Sequence, residues 1–257
     1  MLEERKQKEI AHYDEKAREA NSDQRGDFEG FEPQQLSSYR FFYTLIGQYS
    51  AGKKVLDYGC GNGIHSAFPA KLGAQVTGID LSKLSLQTAR QRMQKERVGD
   101  RVSFLEMDCE NLEFEDNSFD VIMDGGTFSS LDLKKAIPEL ARVLKSEGIV
   151  IGIETLGHNP VTNLKRKLNR ETGKRTEWAE GHILQMKDLE FVRQYFKEVE
   201  AHYFHLISWI VFPFLRFPGG NILLRMAEIL ETPFIWIPFF RRYCFKIVLV
   251  FKGPKKA

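Results

Sequence analysis

The strongest constraint on the fold is the alternation of short apolar runs with helix-forming stretches from Lys54 onward. Five runs follow one another, KVLDYG, AQVTGID, RVSFLEMD, FDVIMDG and GIVIGIE, and helical stretches separate most of them. Strands that are apolar along their whole length are buried on both faces, and strands joined by helices run parallel. The alternation therefore predicts an α/β fold with a doubly wound sheet and helices on both faces.

The remaining segments indicate additions to this core rather than a second domain. At 257 residues, the chain is long enough for one α/β domain with elaborations. We expect a single domain over 1–257, made of a helical N-terminal arm or lid (1–50), a cofactor-binding core (51–154) and two substrate-side insertions (155–184 and 207–242). The arm reads as two helices, about 1–20 and 34–49, joined by the loop NSDQRGDFEGFEP, and the first insertion holds the basic stretch LKRKLNRETGKR. A further helix, KDLEFVRQYFKE, and two more strands, EVEAHYFHLI and YCFKIVLVF, complete the pattern.

The second insertion, 207–242, is unusually aromatic. Its large aromatic residues are Trp209, Phe212, Phe214, Phe217, Phe234, Trp236, Phe239 and Phe240. Four prolines are expected to interrupt any long helix: Pro213, Pro218, Pro233 and Pro238. The charged residues Arg216, Arg225, Glu228 and Glu231 leave no apolar stretch long enough to span a membrane.

Two interpretations of this insertion remain open. It can be a lid packed on its own sheet or on a second subunit, which would make a homodimer. It can also be an apolar surface for a lipidic or aromatic substrate that touches a membrane, with Arg241, Arg242 and the tail Lys252–Lys256 at the headgroups.

The overall composition argues against several classes of protein. Thirty-seven Lys and Arg residues against 35 Asp and Glu residues give a formal charge of +2, too balanced for the electrostatic contact that nucleic-acid binding needs. Three scattered cysteines provide neither a disulfide framework nor metal-ligand spacing, so we expect no metal site. The N-terminus has no apolar signal-peptide region, so a cytoplasmic protein is expected, with peripheral membrane attachment as an option.

The turn after the first strand, VLDYGCGNG, is the position at which open α/β sheets bind nucleotides. A dinucleotide fingerprint is G-x-G-x-x-G, whereas Gly59, Gly61 and Gly63 give G-x-G-x-G. Asp57 precedes this turn, and its carboxylate would repel a pyrophosphate. S-adenosylmethionine has no phosphate and carries an ammonium and a sulfonium, so this charge favours it over a nicotinamide dinucleotide.

Acidic residues also end the next three strands. Asp80 stands about 20 residues after the first glycine, where a carboxylate accepts both ribose hydroxyls in either class of nucleotide. Asp108 and Cys109 end the third strand, where the acid can accept the adenine amino group and the Cys109 N–H faces a ring nitrogen. Asp124 ends the fourth strand, near the expected methionine end of the ligand.

Taken together, these motifs resemble the class I S-adenosylmethionine-dependent methyltransferases that act on small molecules. The resemblance covers Val55 to Glu154, through VLDYGCGNG, VTGIDLS, EMDCENLEF, FDVIMDGGTFSSL and ARVLKSEGIVIGIE, and continues more weakly to Phe251. It implies a seven-stranded Rossmann-like sheet whose last strand runs antiparallel. It also implies a set of cofactor-binding residues: Asp57, Gly59, Cys60 and Gly61 at the methionine moiety, Asp80 and Leu81 at the ribose, Asp108 and Cys109 at the adenine, Asp124 nearby, and Tyr13 of the pair Tyr13–Asp14 over the cofactor.

The acceptor and the chemistry are less constrained by the sequence. Methyl transfer from a sulfonium needs a general base only when the acceptor must lose a proton. Candidate bases are Glu154, His158 and His182, although a structural role is more frequent for each, and His65 is expected to cap a helix or line the site.

The fourth-strand tip, DGGTFSSL, lacks the Pro-Pro-aromatic motif of DNA and protein amine methyltransferases, so a small-molecule acceptor is expected, methylated at oxygen, nitrogen or carbon. The alternatives are an NAD(P)-dependent oxidoreductase and a cofactor-binding partner protein without activity.

Overall fold

The computed structural model describes residues 3–22, 35–171 and 176–256, and its centre is a seven-stranded sheet. The strand order is β3-β2-β1-β4-β5-β7-β6, and only β7 runs antiparallel to its two neighbours. The strands are β1 (Lys54–Tyr58), β2 (Gln75–Asp80), β3 (Val102–Glu106), β4 (Phe119–Asp124), β5 (Leu144–Thr155), β6 (Phe196–Phe204) and β7 (Lys246–Pro254). The predicted doubly wound sheet with an antiparallel last strand is confirmed.

Helices cover both faces of the sheet. They are α1 (Glu4–Ser22), α2 (Ser37–Ser50), α3 (Ala67–Lys71), α4 (Lys83–Lys95), α5 (Leu133–Val143), α6 (Pro160–Glu171), α7 (Glu177–Gly181), α8 (Met186–Val192), α9 (Gly220–Ile235) and α10 (Pro238–Arg241). One core contains Phe42 of α2 and Leu86 of α4, and the other contains Leu140 of α5 and Leu189 of α8. Each face of the sheet is therefore buried by its own set of helices.

The strand register brings the predicted acidic residues to one edge of the sheet. In the parallel ladders, Tyr58 of β1 lies opposite Asp124 of β4, and Asp80 of β2 lies opposite Glu106 of β3. Glu154 lies at the same carboxyl edge, near the end of β5. In open α/β sheets, ligands bind at this edge where the strand order reverses, which here is between β1 and β4.

The second insertion also leaves from this edge. It begins after Phe204, the last residue of β6, and returns at Lys246, which pairs with Thr155 at the end of β5. A 3₁₀ segment over Ser208–Phe214 precedes α9, and α10 follows it. The expectation that Pro233 interrupts any long helix is wrong: it lies inside α9, two residues before the helix ends, so few backbone hydrogen bonds follow it.

Two of the sequence predictions fall partly outside the described residues. The loop predicted after the first helix lies mostly within 23–34, and the end of the basic stretch lies within 172–175. The part of the basic stretch that is described belongs to α6. Across the described ranges, no helix combines the length and the apolar character needed to cross a membrane.

Candidate cofactor and active site

The three glycines after β1 all have positive φ angles, but for different reasons. A Cβ on Gly59 (φ 66°) would lie 2.3 Å from Thr127 Oγ1, and one on Gly63 (φ 73°) would lie 2.9 Å from Ala89 Cβ. Gly61 (φ 50°) differs, since a Cβ there would meet no atom within 4 Å. Packing therefore requires Gly59 and Gly63, whereas Gly61 faces open space, as the close approach of a ligand to backbone requires.

The Asp57 side chain is buried beneath this turn. Its exposed fraction is 1%, and its Oδ2 accepts a hydrogen bond of 2.5 Å from Ser66 Oγ. Burial raises the pKa of the Asp57 carboxyl to about 7, against the lowering effect of Ser66. The carboxyl group thus lies behind the turn rather than at its open mouth, and its pKa is raised toward neutral pH.

Asp80 connects the end of β2 to the glycine turn. Its Oδ2 accepts a hydrogen bond from Gly61 N (2.9 Å), and its Oδ1 accepts one from Ser82 N (2.8 Å). Burial raises the pKa of Asp80, although these backbone donors oppose the shift. Ser82 caps α4 through Ser85 N and donates to Asp14 Oδ1 at 2.5 Å. The partly exposed Leu81 lies between Asp80 and Ser82. The carboxylate that the sequence assigns to the ribose therefore also shapes the turn beside it.

Helix α1 covers the end of β3, a contact that the sequence did not predict. Lys6 Nζ lies 2.5 Å from Asp108 Oδ2 and 2.9 Å from Glu110 Oε2. Arg5 donates two hydrogen bonds of 2.7 Å to Glu110. Desolvation acts to raise the pKa of Glu110, but Arg5, the Asp132 N–H and Lys6 outweigh it and bring the pKa to about 2. Asp108, predicted to accept the adenine amino group, is therefore paired with a lysine of the arm.

The neighbouring predicted residues are Cys60, Cys109 and Tyr13. Both cysteines are buried, and the Cys109 carbonyl accepts a hydrogen bond from Tyr58 OH. Tyr13 is 39% exposed, and its hydroxyl lies 3.4 Å from Ser130 Oγ. The pair Tyr13–Asp14 thus lies on the part of α1 that faces the ends of β2 and β4.

Two buried carboxyl groups lie at the ends of β4 and β5. Asp124 Oδ1 accepts from Thr127 N at 2.8 Å, and within the described residues its buried Oδ2 has no hydrogen-bond partner. Glu154 Oε1 accepts from Phe128 N at 2.7 Å. Burial and the nearby Glu154 raise the pKa of Asp124 well above its ordinary value. The raised pKa means that the buried site disfavours the charged form of Asp124.

The two histidines named as candidate bases are held by neighbouring helices. His158 Nε2 lies 3.1 Å from Met186 N and accepts its hydrogen bond, and burial together with Arg242 lowers the pKa of His158. His182 stacks on Trp178 with ring centroids 3.6 Å apart, and its Nδ1 lies 2.9 Å from the Trp178 carbonyl oxygen. These contacts are structural and do not join either ring to the glycine turn.

His65 and Tyr43 form a pair beside the end of β4. His65 Nδ1 lies 2.8 Å from Tyr43 OH, and a Cβ on Gly125 would lie 2.5 Å from His65 Cδ2. Burial, with Lys246 and Arg92, lowers the pKa of His65 to about 4, so its ring is neutral at pH 7. The sequence indicated His65 but not Tyr43, whose helical spacing in α2 is equally typical of core packing.

A concave surface lies at the far end of the sheet. It is a groove of about 400 Å³ between β6 and α9, with Tyr203, Phe204, Glu231 and Trp236 among its lining residues. The predicted cofactor-binding residues do not line it.

Comparison with known proteins identifies the core. Residues 56–152 match the protein family described as methyltransferase domain. Methyltransferase GfsG of Streptomyces halstedii is 43% identical over 101 residues, which are 38% of this chain and 36% of that protein. Demethylmenaquinone methyltransferase of Clavibacter sepedonicus is 36% identical over 102 residues, 39% of this chain and 40% of that protein. The chain thus spans about two fifths of the length of these curated relatives.

The likeness to a solved structure extends beyond the core. The Haemonchus contortus phospholethanolamine N-methyltransferase 2, solved with phosphomonomethylethanolamine and S-adenosylhomocysteine, superposes with a TM-score of 0.60. The superposition covers 84% of this chain and 53% of that protein at 20% sequence identity. At this identity the likeness concerns the fold alone, and it extends to residues outside 56–152.

Proposed function

This chain carries a class I S-adenosylmethionine-dependent methyltransferase domain, and we propose that it transfers the cofactor's methyl group to a small-molecule acceptor. The main support for the proposal is the glycine turn, in which Gly61 faces open space and its N–H donates a hydrogen bond to Asp80. In this proposal, residues 51–154 bind the cofactor, 1–50 close over it, and 155–184 and 207–242 select the acceptor.

The residues of the turn fit S-adenosylmethionine. We assign the methionine moiety to Asp57, Gly59, Cys60 and Gly61, with the unpartnered Asp124 Oδ2 as a buried acceptor near its ammonium. We assign the ribose to Asp80 and Leu81, because the Asp80 carboxylate lies at the end of β2 beside the glycine turn, the position of a ribose-binding acid in open α/β sheets. When bound, the cofactor supplies an electrophilic methyl group on a good leaving group.

The adenine end requires a rearrangement within the arm. We assign the adenine to Asp108 and Cys109, and Tyr13 to the covering arm. Because Lys6 occupies Asp108 Oδ2, an adenine amino group can bind there only if Lys6 shifts to its second partner, Glu110. Glu110 lies close enough to keep Lys6 paired, so α1 can remain in place while Asp108 changes partner.

The chain's contribution to the transfer is mainly positional. Holding the acceptor in line with the methyl group supplies much of the rate. If the acceptor must lose a proton, His65 is better placed than Glu154, His158 or His182, because its neutral ring lies against Gly125 at the end of β4. The three other candidates are engaged with backbone groups of their neighbours.

We propose an apolar or lipid-linked acceptor. The aromatic insertion 207–242 leaves from the same edge of the sheet as the glycine turn, which supports assigning it to the acceptor side of the site. The relative named demethylmenaquinone methyltransferase supports an acceptor of this kind. The alternatives from the sequence, an oxidoreductase and a partner protein without activity, gain no support from the family match.

The experiment is transfer of label from methyl-labelled S-adenosylmethionine to a cell extract divided into aqueous and solvent-soluble fractions. We expect enzyme-dependent label in a solvent-soluble small molecule, identified by mass spectrometry. Gly61→Ala should abolish the transfer, because its Cβ would enter the open space over the turn. Gly52→Ala is the matched control, since Gly52 also has positive φ (68°) and open space but lies before β1. Binding of the cofactor without label in any fraction would contradict the proposal.

A further inference from the structure

The solvent-facing side of α9 is apolar, the reverse of the usual arrangement of a surface helix. Ile222, Met226, Ile229, Leu230 and Phe234 recur at helical spacing on this side and are each more than half exposed. Ile229 is 71% exposed, and Trp236, directly after the helix, is 73% exposed. Several large apolar side chains exposed together on one side of a helix mark an interaction site.

Both carboxylates of the insertion face inward. Glu231 is only 2% exposed and accepts hydrogen bonds from Ile207 N, Ser208 N and Ser208 Oγ at 2.8 to 2.9 Å. Glu228 accepts from Ser37 N and pairs with Arg40 NH2, each at 3.0 Å. Glu228 therefore attaches the insertion to α2, whereas Glu231 joins α9 to the first residues of the insertion, and neither charge faces solvent.

Three of the four arginines of the same segment face outward, whereas Arg241 donates to the Ile235 and Trp236 carbonyl groups. Arg216, Arg225 and Arg242 are exposed. Arg216 lies 5.1 Å from the ring centroid of Phe217, and Arg242 lies 5.6 Å from that of Phe239. The outer surface of the insertion thus combines apolar side chains with positive charge.

We propose that residues 207–242 dock the protein on an anionic lipid bilayer. In this arrangement the apolar side of α9 and Trp236 enter the boundary between headgroups and acyl chains, and the arginines contact the anionic headgroups. A second copy of this chain is a poorer occupant. An isologous interface would bring two copies of the same positively charged surface together, and the segment's carboxylates are already buried and cannot pair with it.

Docking would bring the carboxyl edge of the sheet to the bilayer. The insertion joins that edge through β6 and β7, whose Lys246 lies opposite Thr155. An acceptor dissolved in the bilayer would then approach from the insertion side. The docking itself goes beyond the proposed function, because binding to lipid requires neither cofactor nor methyl transfer.

The test is sedimentation with vesicles of phosphatidylcholine alone and of phosphatidylcholine mixed equally with phosphatidylglycerol. We expect roughly a hundredfold tighter binding to the anionic vesicles, since each of the three exposed arginines contributes on the order of fivefold near such a surface. The variant Arg216→Gln/Arg225→Gln should lose roughly thirtyfold on anionic vesicles. Ile229→Ser/Leu230→Ser should lose about tenfold or more. The matched controls, Arg101→Gln and Leu105→Ser at the β3 edge, should stay within about twofold.

A second readout reports insertion directly. In the variant Trp178→Phe/Trp209→Phe, Trp236 is the only tryptophan. Its emission should shift to the blue on anionic vesicles and be quenched by brominated acyl chains. Circular dichroism melts verify that each variant is folded. Absence of binding, equal binding to both vesicles, or a dimer in light scattering that Ile229→Ser/Leu230→Ser dissociates would each overturn the proposal.

Discussion

Asp57 shows how a single residue can be costly for folding and useful for binding. Its burial raises the pKa to about 7, so the folded protein disfavours the charged form that a cationic ligand would favour. The raised pKa determines how the free energy of unfolding changes with pH. The protonated Asp57 carboxyl contributes to the free energy of unfolding. This contribution is fully present below the unfolded pKa near 3.8 and is lost as the pH rises through about 7.

We predict that Asp57→Asn removes a pH dependence of cofactor binding. In the wild type, S-adenosylmethionine should bind more tightly as the pH rises from about 5.5 to 7, because binding a cation releases the Asp57 proton. The variant, which keeps an acceptor for Ser66, should show a flat profile, a weaker affinity at neutral pH and a higher melting temperature at pH 8. Calorimetric titrations at several pH values and thermal melts measure these effects, with Ser66→Ala as the control. An unchanged slope would rule out Asp57 as the titrating group.

The residues of the site were predictable to different degrees. The glycines and the acids at the strand ends follow from the sequence, because their positions are fixed by the local strand-turn-helix pattern. The pairing of Asp108 with Lys6 did not follow, since Lys6 lies 102 positions away in a helix whose charges are typical of a solvated surface. From the sequence, Glu231 indicates only a charge that prevents membrane spanning, whereas the structure buries its side chain.

Among the elements, α1 has the clearest link to the site. It contacts the ends of β2 and β3 through charged side chains, and few of its residues enter the two cores. Glu110 is the centre of this contact, with Arg5 and Lys6 as its cationic partners. Because Arg5, Lys6 and Glu110 are well buried from solvent, the contact should be stronger than a surface ion pair.

We predict that Glu110→Gln loosens α1 without disturbing the sheet. Hydrogen exchange over Glu4–Ser22 should become faster, and the cofactor should bind about tenfold more weakly because the cover over the adenine end is lost. The melting temperature should change by only a few degrees. Glu113→Gln is the control, since Glu113 is an exposed acid on the same loop. A large fall in melting temperature with unchanged exchange in α1 would contradict the assignment of α1 as a cover.

At the element scale, strands were easier to predict than the orientation of helices. Each apolar run gave a strand near the expected position, because a buried strand is apolar on both faces. In α9, composition and periodicity alone cannot distinguish an apolar side that packs inward from one that faces solvent. The inward hydrogen bonds of Glu231 decide the orientation, and they depend on contacts with Ile207 and Ser208.

At the scale of the whole molecule, the functional features lie at one edge of the sheet. The glycine turn, the acidic strand ends and the start of the aromatic insertion meet there, while α1 covers the β2 and β3 end. The seven-stranded sheet and its antiparallel last strand were predictable from the family resemblance. The identity of the acceptor was not, because the insertion that we propose to border it lies outside the matched residues 56–152.

The most direct test of the central claim is a calorimetric titration of the purified protein with S-adenosylhomocysteine and, separately, with NADH. We predict saturable binding of S-adenosylhomocysteine that Asp80→Asn weakens by about tenfold or more, and no binding of NADH. Saturable binding of NADH with none of S-adenosylhomocysteine would contradict the account.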